Sequence, residues 1–208
     1  MPKRANLNQD DDSVSNRGAG FAEAKPTRSS APEAWDAVKQ ASPLLTPTPA
    51  RHVPIEKGSY IAGFVDGEGS FYLSVRKRKD YRTGWKFSLH FNISNADKAV
   101  MEQCKKYLQC GKIRTIKKNE KPFYIFEVSD RNTLRTIIIP FFTRFSFLSN
   151  KKKAEFRVFD NVLYFMEQTP VCDRDRLEKL LEYRRQLNEL RSTQTHYSDS
   201  EIRTSFRD

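Results

Sequence analysis

Two acidic residues separated by one glycine, Asp66 and Glu68, are the side chains in this sequence best placed to do chemistry. They close the decapeptide YIAGFVDGEG, residues 60–69, in which an apolar run containing the small residues Ala62 and Gly63 comes first. A carboxylate at the C-terminal end of a short helix is opposed by the helix macrodipole. Glu68 therefore needs a compensating charge, and a hard divalent cation supplies one, since such ions take carboxylate and phosphate oxygens. The competing reading is that Asp66 and Glu68 only cap a turn. Further along, SNKKKAEF puts Lys151, Lys152 and Lys153 at the start of a helix, where positive charge is also opposed by the dipole. A nearby phosphate accounts for these lysines, and a solvated charge run is the alternative.

The elements that must position these groups are legible from periodicity. In Gly69 to Arg78, Phe71, Leu73 and Val75 alternate with Ser70, Tyr72, Ser74, Arg76 and Arg78, as in a half-buried strand. After KDYRTGW, Phe87, Leu89, Phe91 and Ile93 share one face, and Lys86, Ser88, His90 and Asn92 the other, which predicts a hairpin. SNADKAVMEQCKKYLQCG reads as an amphipathic helix, with Ser94 or Asn95 as its cap and Gly111 as its stop. A second hairpin joins residues 112–117 and 123–128, with Lys112, Arg114 and Glu127 on its polar side. A short helix is expected over 132–139, ending at Pro140, then a longer one over 151–168, then an exposed or partner-packing helix over about 173–191 with a flexible tail to residue 208. Residues 1–54, rich in Ser, Ala and Pro, read as a tail, leaving residues 55–170 as the folded domain.

Composition narrows the partner. The 208 residues carry 37 Lys+Arg against 26 Asp+Glu, a formal charge of +11, which favours an anionic partner such as nucleic acid. The polar strand faces carry Arg, Lys, Ser, Asn, His and Tyr, a set able to contact phosphates and base edges, although a plain solvated face has a similar look. Three scattered cysteines and three scattered histidines make a zinc site or a disulfide framework unexpected. No apolar run has the length of a membrane span, and the first residues lack a secretory signal, so no membrane partner is expected and an intracellular setting is.

The decapeptide resembles the LAGLIDADG motif, and the order helix, two strands, helix, two strands, helices resembles the αββαββα domain of that homing endonuclease family over about Lys57 to Gln168. The resemblance implies an α+β fold with a four-stranded antiparallel DNA-binding sheet. One motif per chain implies a homodimer through the motif helix, with Ile61, Ala62, Gly63 and Val65 at the interface, where small side chains let two helices approach closely. It also implies hydrolysis of double-stranded DNA with Mg²⁺ or Mn²⁺ at a long, partly palindromic site, in the service of intron or intein mobility. Glu68, in place of the commoner Asp, matches the metal-binding acid and Asp66 the earlier motif acid. Asn95 matches the polar residue after the second strand that helps position water, with helix capping as its competing role. Lys151 matches the family's lysine, with Lys152 or Lys153 one register away; otherwise Lys152 and Lys153 join the strand residues at the DNA. Two other readings stay open: a maturase assisting splicing of an intron RNA, and a DNA-binding regulator without catalysis. Bacterial cytoplasm, chloroplast and mitochondrion are equally compatible settings.

Overall fold

A computed structural model describes residues 49–168, 173–192 and 195–207. Most of the expected tail lies outside the described residues, but its last six residues do not. A 3₁₀ turn at Pro49–His52 leads into the body, and Ala50 and Val53 are buried in the core. The folded unit therefore begins before residue 55, because two apolar side chains just ahead of Pro54 find cover.

Helix α1, Ile55–Glu68, buries Gly58, Ile61, Ala62 and Val65 on one face. It runs directly into strand β1, Gly69–Lys77, which pairs antiparallel with β2, Trp85–Asn95. Gly69 makes that abrupt junction possible. Its N–H donates to the Val65 carbonyl, and an added Cβ would meet Val65 Cγ1 at 2.4 Å and that carbonyl oxygen at 2.7 Å. Helix α2, Lys98–Leu108, follows, then β3, Lys112–Lys118, and β4, Lys121–Val128. The sheet order is β1-β2-β4-β3, antiparallel throughout.

The alternation read from sequence is the alternation of burial. Phe71, Leu73, Val75, Phe87, Leu89, Phe91 and Ile93 all face the core. Phe71 lies at its centre, with ring centroids of Phe91, Phe142, Phe147, Phe156 and Phe159 within 4.9–5.9 Å. Offset and edge-on pairs of this kind add attraction beyond buried area.

Pro140 does not end the helical run that contains it. The run begins at α3, Arg131–Thr133, widens into a π-helical turn at Leu134–Ile138 and continues as α4, Ile139–Arg144. The π turn restarts the hydrogen-bond register, so Pro140 falls in the first turn of α4, where its missing N–H costs little. Helix α5, Asn150–Gln168, then crosses the core face.

The C-terminal segment differs most from expectation. Helix α6, Arg174–Arg191, buries Leu177, Leu180, Leu181, Arg184 and Leu187 within this chain, packed on α5 and β1. The presumed flexible tail forms a further helix, α7, Asp199–Ser205, with Ile202 and Phe206 in the core. Arg184 ties the two together, donating to the Asp199 carboxylate at 2.8 Å and the Tyr197 carbonyl at 2.6 Å. Trp85 Nε1 donates to Ser205 Oγ at 3.2 Å and the Arg207 N–H to the Thr83 carbonyl at 3.2 Å, so this segment braces the β1–β2 turn. Scattered apolar residues in a charged stretch gave no sign of that docking, because their partners lie some 120 residues away.

Candidate active site and nucleic-acid interface

Glu68 is the last residue of α1 and is exposed. No basic residue occupies the last turn of that helix, and no hydrogen bond or ion pair among the described residues engages the Glu68 carboxylate. The unfavourable dipole is thus left uncompensated among the described residues. Hard carboxylate oxygens without soft ligands suit a divalent cation such as Mg²⁺. Among the described residues, no group of three or more His, Cys, Asp or Glu side chains could enclose a metal ion alone. Remaining ligands would have to come from phosphate oxygens, water or a second copy of the chain.

Asp66 was expected as a second metal ligand, and the structure gives it a different job. Its Oδ2 accepts the Leu148 N–H at 3.0 Å and the Ser149 N–H at 2.9 Å, and its Oδ1 accepts the Ser149 hydroxyl. Burial opposes the ionised form, but Ser149, Leu148 and the nearby Lys152 more than offset it, so the carboxyl pKa lies below its ordinary value. Ser149 Oγ in turn accepts the Lys152 N–H at 3.1 Å, capping α5. Asp66 therefore fastens the motif helix to the start of the lysine-bearing helix.

That fastening decides which lysine faces the motif. Lys151 and Lys153 are exposed, whereas Lys152 is buried at 8% exposure. Its Nζ donates to the Gly69 carbonyl at 2.6 Å and to Glu155 Oε2 at 2.9 Å. Glu155 Oε1 accepts the Phe71 N–H at 2.7 Å, satisfying the outer edge of β1. Lys152 is accordingly not an open DNA contact; it holds the first residue of β1 beside the end of α1. Lys151, Lys152, Glu155 and Arg191 line a cleft of about 270 Å³ with Asp66, Gly67, Gly69, Ser70 and Ser149. The Ser70 hydroxyl in this cleft is buried without a partner.

Asn95 does not cap α2. Asp97 does, accepting the Ala99 N–H at 2.8 Å, while Asn95 Oδ1 accepts the Asp97 N–H at 2.8 Å in the preceding turn. Asn95 lies two residues beyond Ile93, the partner of Gly69, and does not line the cleft.

The strand residues expected at the DNA share one sheet face. One row crosses all four strands as Ser70, Asn92, Glu127 and Lys112, and Arg114 lies opposite Ile125 in the next. Arg76 and Arg78 are exposed and Lys86 and Ser88 partly so, with Arg78 ion-paired to Asp80 at 2.6 Å. His90 and Ser74 depart from expectation. His90 is only 7% exposed, its ring stacked on Tyr72 at 4.9 Å, with Nδ1 2.8 Å from Glu127 Oε1 and Nε2 3.0 Å from Ser74 Oγ. Burial pushes the His90 pKa down. A carboxylate can only accept, so in the neutral ring the proton sits on Nδ1, and the one Ser74 hydroxyl proton is shared between Nε2 and the Ser88 carbonyl at 3.2 Å. Glu127 also pairs with Arg114 at 3.1 Å. His90, Ser74 and Glu127 thus form an internal brace in which both ring nitrogens of His90 are engaged, while Arg114 stays half-exposed at its edge.

The expected dimer residues are largely turned inward. Ile61, Ala62 and Val65 are at most 2% exposed and pack in this chain's own core. The outward arc of α1 instead carries Ser59, Gly63 and Gly67, and a Cβ at either glycine would meet nothing within 4 Å. Small residues at i, i+4 and i+8 were the available signal. Ile55 and Leu148 flank this arc, 68% and 88% exposed.

A family model described as LAGLIDADG endonuclease matches residues 61–163. The Probable intron-encoded endonuclease 2 of Neurospora crassa is 32% identical over 133 residues, 62% of this chain and 29% of that protein. The chain spans less than two thirds of the curated relatives it matches. Among solved structures, the homing endonuclease I-TnaI aligns with a TM-score of 0.58 at 25% identity, covering 71% of this chain and 94% of that one. The I-LtrWI LAGLIDADG homing endonuclease bound to target DNA aligns with a TM-score of 0.56 at 28% identity, covering 62% of this chain and 44% of that one. The acidic motif helix, its direct run into an antiparallel four-stranded sheet and these matches agree: the chain belongs to the LAGLIDADG endonuclease family.

Proposed function

We propose that this protein is a site-specific endonuclease that hydrolyses double-stranded DNA with a divalent metal and acts as a homodimer in the homing of an intron or intein. The observation that carries the reading is Glu68: an exposed carboxylate with no partner among the described residues, at the point where the motif helix becomes the first strand of a basic sheet face. Relatives described as intron-encoded or homing endonucleases support the reaction class, and a neighbour solved on target DNA supports the substrate.

Each group then has a task. Glu68 offers hard oxygens, and a divalent ion bound there would neutralise phosphate charge and acidify water. Lys151 places an exposed ammonium at the cleft beside the end of α1, where an incoming phosphate is attracted. Lys152 fixes the Gly69 carbonyl and hence the spacing between Glu68 and Ser70. Arg76, Lys86, Lys112 and Arg114 offer charge along the strands, a two-stranded ribbon being narrow enough for the major groove.

Homodimerisation is read from the Ser59–Gly63–Gly67 arc and its apolar flanks, Ile55 and Leu148. Two such helices crossing at their glycines would bring two copies of Glu68 together, one for each DNA strand. More than half of I-LtrWI lies outside the match, which fits a second copy serving here as the other half.

The test is incubation of the purified protein with duplex DNA spanning the uninterrupted insertion site, in Mg²⁺ or EDTA, with the cut ends mapped. Staggered, metal-dependent cutting at one position is expected, and Glu68→Gln should lower the rate by at least about 100-fold while keeping DNA affinity. Cutting by Glu68→Gln at the wild-type rate would remove Glu68 from the reaction.

A further inference from the structure

Helix α6 lies wholly beyond residue 163, the end of the family match. Its buried stripe runs Leu177, Leu180, Leu181, Arg184, Leu187, and the next position at helical spacing on that face is Arg191. Arg191 is thus aimed at the body of the protein by the same packing that holds the leucines. The helix stops immediately afterwards, at Ser192 in the left-handed conformation. A cation in the last turn also agrees with the helix dipole.

The stripe carries the Arg191 guanidinium to the groove-facing side of β1. It lies 4.9 Å over the Tyr72 ring and lines the cleft shared by Gly67, Ser70, Lys151 and Lys152. Burial works against its charge, and the carboxylate of Glu155 on the cleft wall works in favour of it. A half-buried guanidinium stacked on an aromatic ring loses little further freedom on meeting an anion, and its planar fork matches phosphate oxygens. The same cleft contains the unpartnered Ser70 hydroxyl, one residue from the motif's last glycine.

We infer that Arg191 is a DNA-contacting residue of the cleavage site, donating its guanidinium to the phosphate that enters the cleft between Ser70 and Lys152. This rests on the nuclease reading above and adds a residue from the C-terminal helix to it. In this arrangement α6 does more than brace the sheet: it adds a third cation, beside Lys151 and Lys152, to the cleft lined by Gly67 and Gly69, the neighbours of Glu68. Stacking on Tyr72 keeps the guanidinium in place before DNA arrives, so its attraction is realised without reorganisation as charge develops on the phosphate.

The experiment compares single-turnover cleavage by wild type, Arg191→Met and Arg191→Lys, with melting temperatures and with DNA affinity measured in the Glu68→Gln background. Arg191→Met should cut about 10–100-fold more slowly, with affinity changed less than about threefold and the fold intact. Arg191→Lys keeps the stem and charge but loses the fork, and should recover part of the rate. If the methionine variant melts early, the lysine variant decides the matter. A series of duplexes carries one neutral methylphosphonate at each position near the cut. At the contacted phosphate the wild type should slow until it matches the variant, while elsewhere the ratio between them persists. A ratio that stays the same at every position, or an Arg191→Met rate equal to wild type, overturns the inference alone. Absence of any cutting by wild type overturns the nuclease reading and the inference with it.

Discussion

Replacing Asp66 with alanine separates a brace from a metal ligand, because the two roles predict opposite results. The substitution removes three hydrogen bonds, from the Leu148 N–H, the Ser149 N–H and the Ser149 hydroxyl, and with them the tie between α1 and the start of α5. Loss of a single capping side chain costs about 0.5–2 kcal/mol. Here one carboxylate holds three donors, but water reaches part of the site and can replace some of them, so about 2 kcal/mol is the reasoned value. For a domain of this size about 2–4 °C is lost per kcal/mol, so the melting temperature should fall by about 4–8 °C. The pKa of Asp66 is lowered in the folded protein, so its contribution is fully present above the ordinary value of 3.8 and disappears as pH falls through the folded value. The gap between wild type and Asp66→Ala should therefore be constant from neutral pH to about pH 5 and close below about pH 4. Thermal unfolding followed by circular dichroism across pH measures this directly. Measured well below its own melting temperature, Asp66→Ala should retain cutting that Glu68→Gln lacks. An unchanged melting temperature together with complete loss of metal-dependent cleavage would refute the reasoning and return Asp66 to the metal.

The outward face of α1 and its junction with β1 give two further tests. Gly63→Leu introduces a side chain into open space and improves helix propensity by about 1 kcal/mol, so the fold should survive while sizing by light scattering shows a monomer. A Gly63→Leu dimer at the wild-type concentration would move the interface elsewhere. Gly69→Ala should destabilise the protein by about 1–3 kcal/mol in denaturant melts, because the new methyl group meets the Val65 side chain and carbonyl at the helix-to-strand junction. An unchanged midpoint would show that the junction can relax.

Period-2 and period-3.6 patterns between Gly69 and Gln168 determined the two hairpins, the helices on either side of them and the core face of β1 and β2, because such patterns report burial that every residue in an element experiences alike. The motif singled out Glu68 for the same local reason: a carboxylate at a helix end is conspicuous without knowledge of its neighbours. Which of these groups already have partners depends on side chains that the fold brings together from distant segments. His90 sits on the polar side of an alternating strand, yet Tyr72, Ser74 and Glu127 enclose it. Asp66 and Glu68 look equivalent in sequence, but the loop at Leu148 and Ser149 claims one and leaves the other open. Three adjacent lysines are distinguished only by Glu155 and the Gly69 carbonyl, which draw in Lys152. Arg191 reaches the cleft because apolar packing of α6 aims it there across more than 100 residues of chain. Periodicity is a property of one segment, whereas the satisfaction of a polar group depends on side chains brought close by the fold. The sequence therefore determined most of the elements and the acidic end of the motif, and three-dimensional packing decided the C-terminal helix α7 and which of the candidate polar groups are already engaged.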